Sequence, residues 1–167
     1  GPWSEQLPSY AAVDTAGKPT TRVDFSEPVD GMEAPWGMAQ LTFYADSARV
    51  AKAPGNVAEL VEWAKKNPGR LSYPKPPQFI GTTFLKQVLI ETVTDRKPFY
   101  TPYSASASVF ADTTAPLWAV LDTLHPHLWK EGKQFPPNPT TLRQMLADGE
   151  LSIAMTFNPN EVANQIA

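Results

Sequence analysis

Between Gly37 and Asp46 the chain alternates. Ala39, Leu41, Phe43 and Ala45 are separated by Met38, Gln40, Thr42 and Tyr44, the period of two that belongs to a strand, predicted over Ala39–Tyr44. The period then lengthens. Val57, Leu60, Val61 and Ala64 share one helical face, with Asn56 at the N-cap position and Glu59 placed to reach back to it. Lys65 and Lys66 fill the last turn and Asn67-Pro68-Gly69 stops it, so a helix is predicted over Val57–Lys66. Arg70–Tyr73 reads as a short buried strand, and Pro74, Pro76 and Pro77 hold the following residues extended. Leu85, Val88, Leu89 and Thr92 recur at i, i+3, i+4 and i+7 and predict a helix over Thr83–Val93. Strand, helix, strand and helix in this order predict a parallel strand pair with a right-handed crossover.

The remaining stretches divide in the same way. Residues 1–36 have weak periodicity and many turn formers, with one short strand expected near Thr21–Phe25. Residues 94–112 read as an irregular loop rich in Tyr, Ser and Pro, including Phe99, Tyr103, Ser104 and Ser106, either lining a ligand or covering a domain edge. Leu117, Leu121 and Leu124 predict a helix over Ala115–Leu124, with Pro116 in its first turn and Pro126 ending it. A short helix is expected over Thr141–Ala147, closed by Gly149. The strand Ser152–Phe157 follows, and Asn158-Pro159-Asn160 opens a last helix with Val162 and Ile166 inward.

Composition narrows the partners. The 167 residues include no cysteine, 18 prolines and a net charge of −3 with interleaved signs. Disulfides, thiolate catalysis and cysteine-bound zinc are excluded, and no basic cluster points to nucleic acid. There is no apolar run long enough to span a membrane, so no direct membrane insertion is expected. The prolines are scattered among connections as loop stiffeners.

Candidate chemistry is sparse. No phosphate-binding glycine loop, dinucleotide fingerprint or nucleophile elbow occurs. His125-Pro126-His127 lacks a third ligand at metal spacing, and neither metal nor cofactor is expected. Asp46 and Lys75 are the nearest acid–base candidates and read as ordinary loop charges. Parallel neighbouring strands would bring Tyr44-Ala45-Asp46, Gly81-Thr82-Thr83 and Asn158 to one sheet edge, as a cleft wall suited to binding without reaction. Free N–H groups at Gly81–Thr83 would there attract an anion. The alternatives are an enzyme domain on the same architecture, or an interaction module using Trp36, Trp63 or Trp118 as an anchor.

Several segments carry a family resemblance. Pro35-Trp36-Gly37-Met38-Ala39-Gln40 resembles the hinge strand of bacterial periplasmic solute-binding proteins of ABC transporters. Gly69-Arg70-Leu71-Ser72-Tyr73-Pro74 with Phe79-Ile80-Gly81-Thr82-Thr83-Phe84-Leu85, and Asp148-Gly149-Glu150-Leu151-Ser152-Ile153-Ala154-Met155, resemble segments of the second lobe. The likeness is to a subgroup related to thiamine and iron binders of the type II fold. It implies an α/β fold, a three-layer α/β/α lobe with a mixed, mostly parallel sheet. Residues 1–36 are then a lead-in from the first lobe and hinge, and 37–167 the second lobe, incomplete at its C-terminus. It further implies binding of a small-molecule solute between two lobes, delivery to ABC permease membrane subunits, a periplasmic location and no catalysis. Placed at the cleft edge, the expected ligand-binding residues are Trp36, Tyr44, Phe79, Gly81, Thr82 and Asn158.

Overall fold

The structure, a computed structural model, describes residues 1–24, 27–35, 37, 39–100, 107–158, 160, 161 and 163. The chain forms two compact units, Gly1–Ala39 and Gln40–Ala167.

The first unit is built from short pieces. Helix α1 (Trp3–Gln6) is followed by 3-10 turns at Pro8–Ala12 and Pro19–Thr21, and β1 (Val23–Asp24) pairs antiparallel with β2 (Glu27–Pro28). Proline opens both 3-10 turns, and Asp14 caps the turn between them by accepting from Gly17 N–H at 2.7 Å. None of the residues here whose burial is described is buried. Such a segment has too little apolar area to order longer elements. The expected strand near Thr21–Phe25 is present as Val23–Asp24, and Phe25 lies outside the described residues.

The second unit contains β3 (Thr42–Ala45), α2 (Val57–Lys66), α3 (Phe79–Thr92), α4 (Ala107–Leu124), α5 (Pro139–Ala147) and β4 (Ile153–Thr156). Helix α2 has the predicted limits because its ends are chemically fixed. Asn56 accepts from Glu59 N–H at 2.9 Å, while the Glu59 carboxylate accepts from Gly55 N–H at 2.9 Å. Gly69 takes the positive φ of +80° that the stop needs. Helix α3 starts one turn before the predicted Thr83, because the Gln78 carboxamide caps Ile80 and Gly81. Helix α4 runs through Pro116 instead of starting beside it. Buried Leu117, Leu121 and Leu124 hold it across the missing hydrogen bond. The expected loop 94–112 is therefore helical from Ala107, while Tyr103, Ser104 and Ser106 lie outside the described residues.

Strand β4 is the buried element, with every residue from Leu151 to Thr156 buried. It pairs antiparallel with β3, in the register Thr42↔Thr156 to Ala45↔Ile153. On its other side it meets Leu71 in an isolated parallel bridge, supported by Ser152 N–H donating to Arg70 C=O at 2.8 Å. Phe43 reaches Phe84 of α3, with ring centres 6.1 Å apart, and α5 packs on β4.

This arrangement corrects the expected fold class. A three-layer α/β/α lobe with a mostly parallel sheet is not what the described residues form. They form two separate two-stranded antiparallel sheets, and the only parallel pairing is the single bridge at Leu71. The segments expected to be parallel neighbours, Ala39–Tyr44 and Arg70–Tyr73, do not pair with each other, because β4 lies between them. A later segment displaced the local crossover pairing because Leu151–Thr156 is apolar enough to be covered on both faces. The final helix with Val162 and Ile166 inward falls mostly outside the described residues.

One position tests the packing around α3. Gly81 is buried, and a Cβ there meets the Pro74 carbonyl oxygen, which is backbone and cannot swing away. Gly81→Ala is expected to lower unfolding stability by about 1–3 kcal/mol. Gly37, whose Cβ would meet nothing, provides the control. Denaturant midpoints that match for parent and Gly81→Ala would show that the α3–Pro74 contact is loose.

Candidate functional site

The loop after Tyr73 and the end of β4 meet at the start of α3. Phe79, the first residue of α3, is 56% exposed and lays its ring 4.7 Å from that of Phe157, just past β4. Asn158 follows, exposed, its side-chain oxygen accepting from Asn160 N–H at 3.0 Å. Thr82 is half-buried in the first turn of α3, beside buried Gly81. Phe79, Gly81, Thr82 and Asn158 thus belong to one end of the unit, an aromatic pair with polar neighbours. Phe157 was missed as a site residue, since its alternation with Ile153 and Met155 marked it only as inward.

The donors expected to hold an anion are occupied. The Gln78 side-chain oxygen accepts from Ile80 N–H at 2.7 Å and more weakly from Gly81 N–H at 3.4 Å. Thr82 N–H donates to Gln78 C=O at 2.9 Å. The early helix start thus places Gly81–Thr83 inside the first turn, not ahead of it.

Tyr44 does not join this group. Antiparallel pairing sets it opposite Ala154, and the end of β3 lies at the beginning of β4, away from Asn158. Burial and then the Glu161 carboxylate push the Tyr44 phenol above its ordinary pKa, with Arg143 opposing. Arg143 and Glu161 are themselves paired at 2.9 Å. Trp36 lies outside the described residues. Of the other tryptophans, Trp63 packs against the core, and Trp118 is 50% exposed with its indole N–H donating to Thr114 Oγ1 at 3.0 Å.

A cleft of about 300 Å³ lies elsewhere, along β3. Leu41, Phe43, Leu60, Phe84 and Ile153 give it apolar walls, and Asn56, Gln87 and Glu91 its polar end. These polar groups bond one another and nearby backbone. Glu91 accepts from Val57 N–H at 2.9 Å and from the Gln87 amide at 2.8 Å, and Asn56 caps α2. Apart from the alternation that marks Leu41 and Phe43, nothing in the sequence points to this cleft, because its walls come from four separate segments.

The third feature is a polar pair in the core. Tyr73, 3% exposed, bonds His125 Nε2 through its hydroxyl at 2.9 Å, with the Phe84 and Phe135 rings packed at a tilt around it. Burial drives the Tyr73 phenol up to about 12. The same cause lowers the pKa of His125, against an opposing pull from Asp122. The two groups stabilise each other as a neutral pair. Among the described residues no group of three or more His, Cys, Asp or Glu gathers to hold a metal, and no helix is long and apolar enough to cross a membrane.

No family model matches the chain, and no solved structure matches it. It is similar to the curated Protein YnjB of Escherichia coli (strain K12), 46% identical over 165 residues, which are 99% of this chain and 42% of that protein. The chain therefore spans less than half the length of the curated relative it matches. These findings correct the resemblance read from the sequence. Because the described residues form two two-stranded antiparallel sheets instead of a large, mostly parallel one, and the curated relative is YnjB, the assignment to ABC-transporter solute-binding proteins of the type II fold does not stand.

The Tyr73–His125 pair predicts a pH dependence of stability. A histidine whose folded pKa lies below its ordinary 6.5 binds fewer protons when folded. Its contribution is complete above 6.5 and is lost as pH falls through the folded value. Unfolding between about pH 7.5 and about pH 5.5 should show a smaller loss of stability for His125→Asn than for the parent. An equal or larger loss in the variant rules out His125 as a source of the slope.

Proposed function

We propose that the chain contributes one wall of a site that binds a small solute without transforming it, in a protein that passes the solute to permease subunits of a membrane import system. The observation that carries the binding reading is the exposed Phe79 ring, in tilted contact with Phe157 and flanked by Thr82 and Asn158. An exposed ring leaning on a half-buried one offers an apolar platform, and the hydroxyl and carboxamide beside it can orient a ligand. Gln78 already fills the adjacent helix start, so the ligand favoured is flat and partly apolar, with hydrogen-bonding groups at its rim and no need of a fixed negative charge.

The periplasmic location and the permease partners belong to the same proposal. Cell fractionation and co-purification with membrane subunits bear on them directly. The binding reading is tested by titrating the 167-residue chain with a panel of small solutes while amide shifts are followed. A binding solute is expected to move Phe79, Thr82, Phe157 and Asn158 first and to be recovered unchanged. Phe79→Ala should weaken it about tenfold, equivalent to about 1.4 kcal/mol. Shifts confined to other residues would remove the platform from the reading, and turnover of the solute would replace binding with catalysis.

A further inference from the structure

The outer edge of β3 is structurally unfinished. Asp46 N–H donates to Ser152 C=O at 3.0 Å. Antiparallel ladders alternate hydrogen-bonded and non-hydrogen-bonded pairs, so in this register Thr42, Tyr44 and Asp46 are the residues that bond β4. The N–H and C=O groups of Phe43 and Ala45 point the opposite way, and among the described residues no strand pairs with that side. Leu41-Thr42-Phe43-Tyr44-Ala45 carries neither charge nor proline, the usual guards of an exposed edge. Phe43 remains 39% exposed.

The cleft runs along this same strand. Its walls are apolar, and the hydrogen bonds of Asn56, Gln87 and Glu91 are directed to one another and to α2. It offers a mainly apolar slot whose polar end is engaged in hydrogen bonds of its own, while the strand edge offers backbone groups without charge. A polar solute matches neither. An extended peptide matches both, pairing with Phe43 and Ala45 while every second side chain enters the slot.

We propose that the β3 edge docks one further strand, with apolar residues at alternate positions, supplied by the same polypeptide outside these 167 residues. The source is argued from length. The curated relative matches over 99% of this chain but only 42% of itself, so a protein of that kind has more than half its length available to supply the strand. The docking edge uses residues other than the Phe79–Phe157 platform and is independent of solute binding there.

Residue-resolved amide exchange and cross-strand nuclear Overhauser contacts, compared between the 167-residue chain and the full-length product of its gene, test the proposal. In the shorter chain Phe43 and Ala45 amides should exchange freely while Tyr44 is protected by β4. In the longer protein both should slow at least about tenfold, and cross-strand contacts should join Leu41–Ala45 to a segment outside the 167 residues. Ala45→Pro removes one outward donor and should destabilise the longer protein while leaving the circular dichroism of the shorter chain unchanged. If that variant does not fold, the parent exchange and contact data decide alone. Free exchange in the longer protein overturns the proposal. So do cross-strand contacts only between two copies of the chain, or protection that arises only when a small solute is added.

Discussion

Strand β4 must satisfy its backbone on both sides while every residue from Leu151 to Thr156 is buried. A buried peptide group left unpaired costs as much as a lost hydrogen bond, so each neighbour of β4 is held where it can donate or accept. Strand β3 supplies one side through the Thr42–Ala45 ladder and Asp46. Arg70 and Leu71 supply the other. Leu151 N–H turns back to Met145 C=O, fixing the approach from α5, and the Arg70 guanidinium donates to Gly149 C=O across that turn. The helices then cover what the ladder leaves apolar.

That constraint also determines where recognition is available. The loop after Tyr73 and the end of β4 deliver Phe79 and Phe157 to one end of the unit, where Phe79 stays exposed and Phe157 is half-buried. At the outer edge of β3 the ladder stops, with no further strand pairing there among the described residues and an apolar slot beside it. The two places differ in what they lack: the first has exposed ring surface with polar neighbours, and the second has a strand edge beside apolar walls. This difference separates a solute platform from a strand dock. The Tyr73–His125 pair, beside Phe84 and Phe135, instead joins a core tyrosine to a half-buried histidine and makes stability, not binding, sensitive to protons.

Local signals were reliable where the chemistry that ends an element lies within it. Asn56, Glu59 and Gly69 bound α2 by hydrogen bonds and a backbone geometry that neighbouring residues do not disturb. Gly149 likewise closes α5 with a positive φ, whereas the start at Pro139, capped by Asn138, lies ahead of the expected Thr141. Where the deciding contact came from elsewhere, the pattern misled. Gln78 is a poor cap by residue preference, yet it caps α3 and closes the presumed anion site. Pro116 reads as a helix start, yet α4 continues through it because its leucine face is buried.

The same limit explains the fold and the site. The sequence by itself located strands within Ala39–Tyr44 and Ser152–Phe157, observed as Thr42–Ala45 and Ile153–Thr156, and placed Phe79, Thr82 and Asn158 near element ends, because period and punctuation are local properties. Only the tertiary structure decided that these two strands pair antiparallel with Leu71 on the far side of β4, and so parted Tyr44 from Asn158. Strand partnership is chosen by which segment can be buried on both faces, a comparison among distant segments that no local period contains.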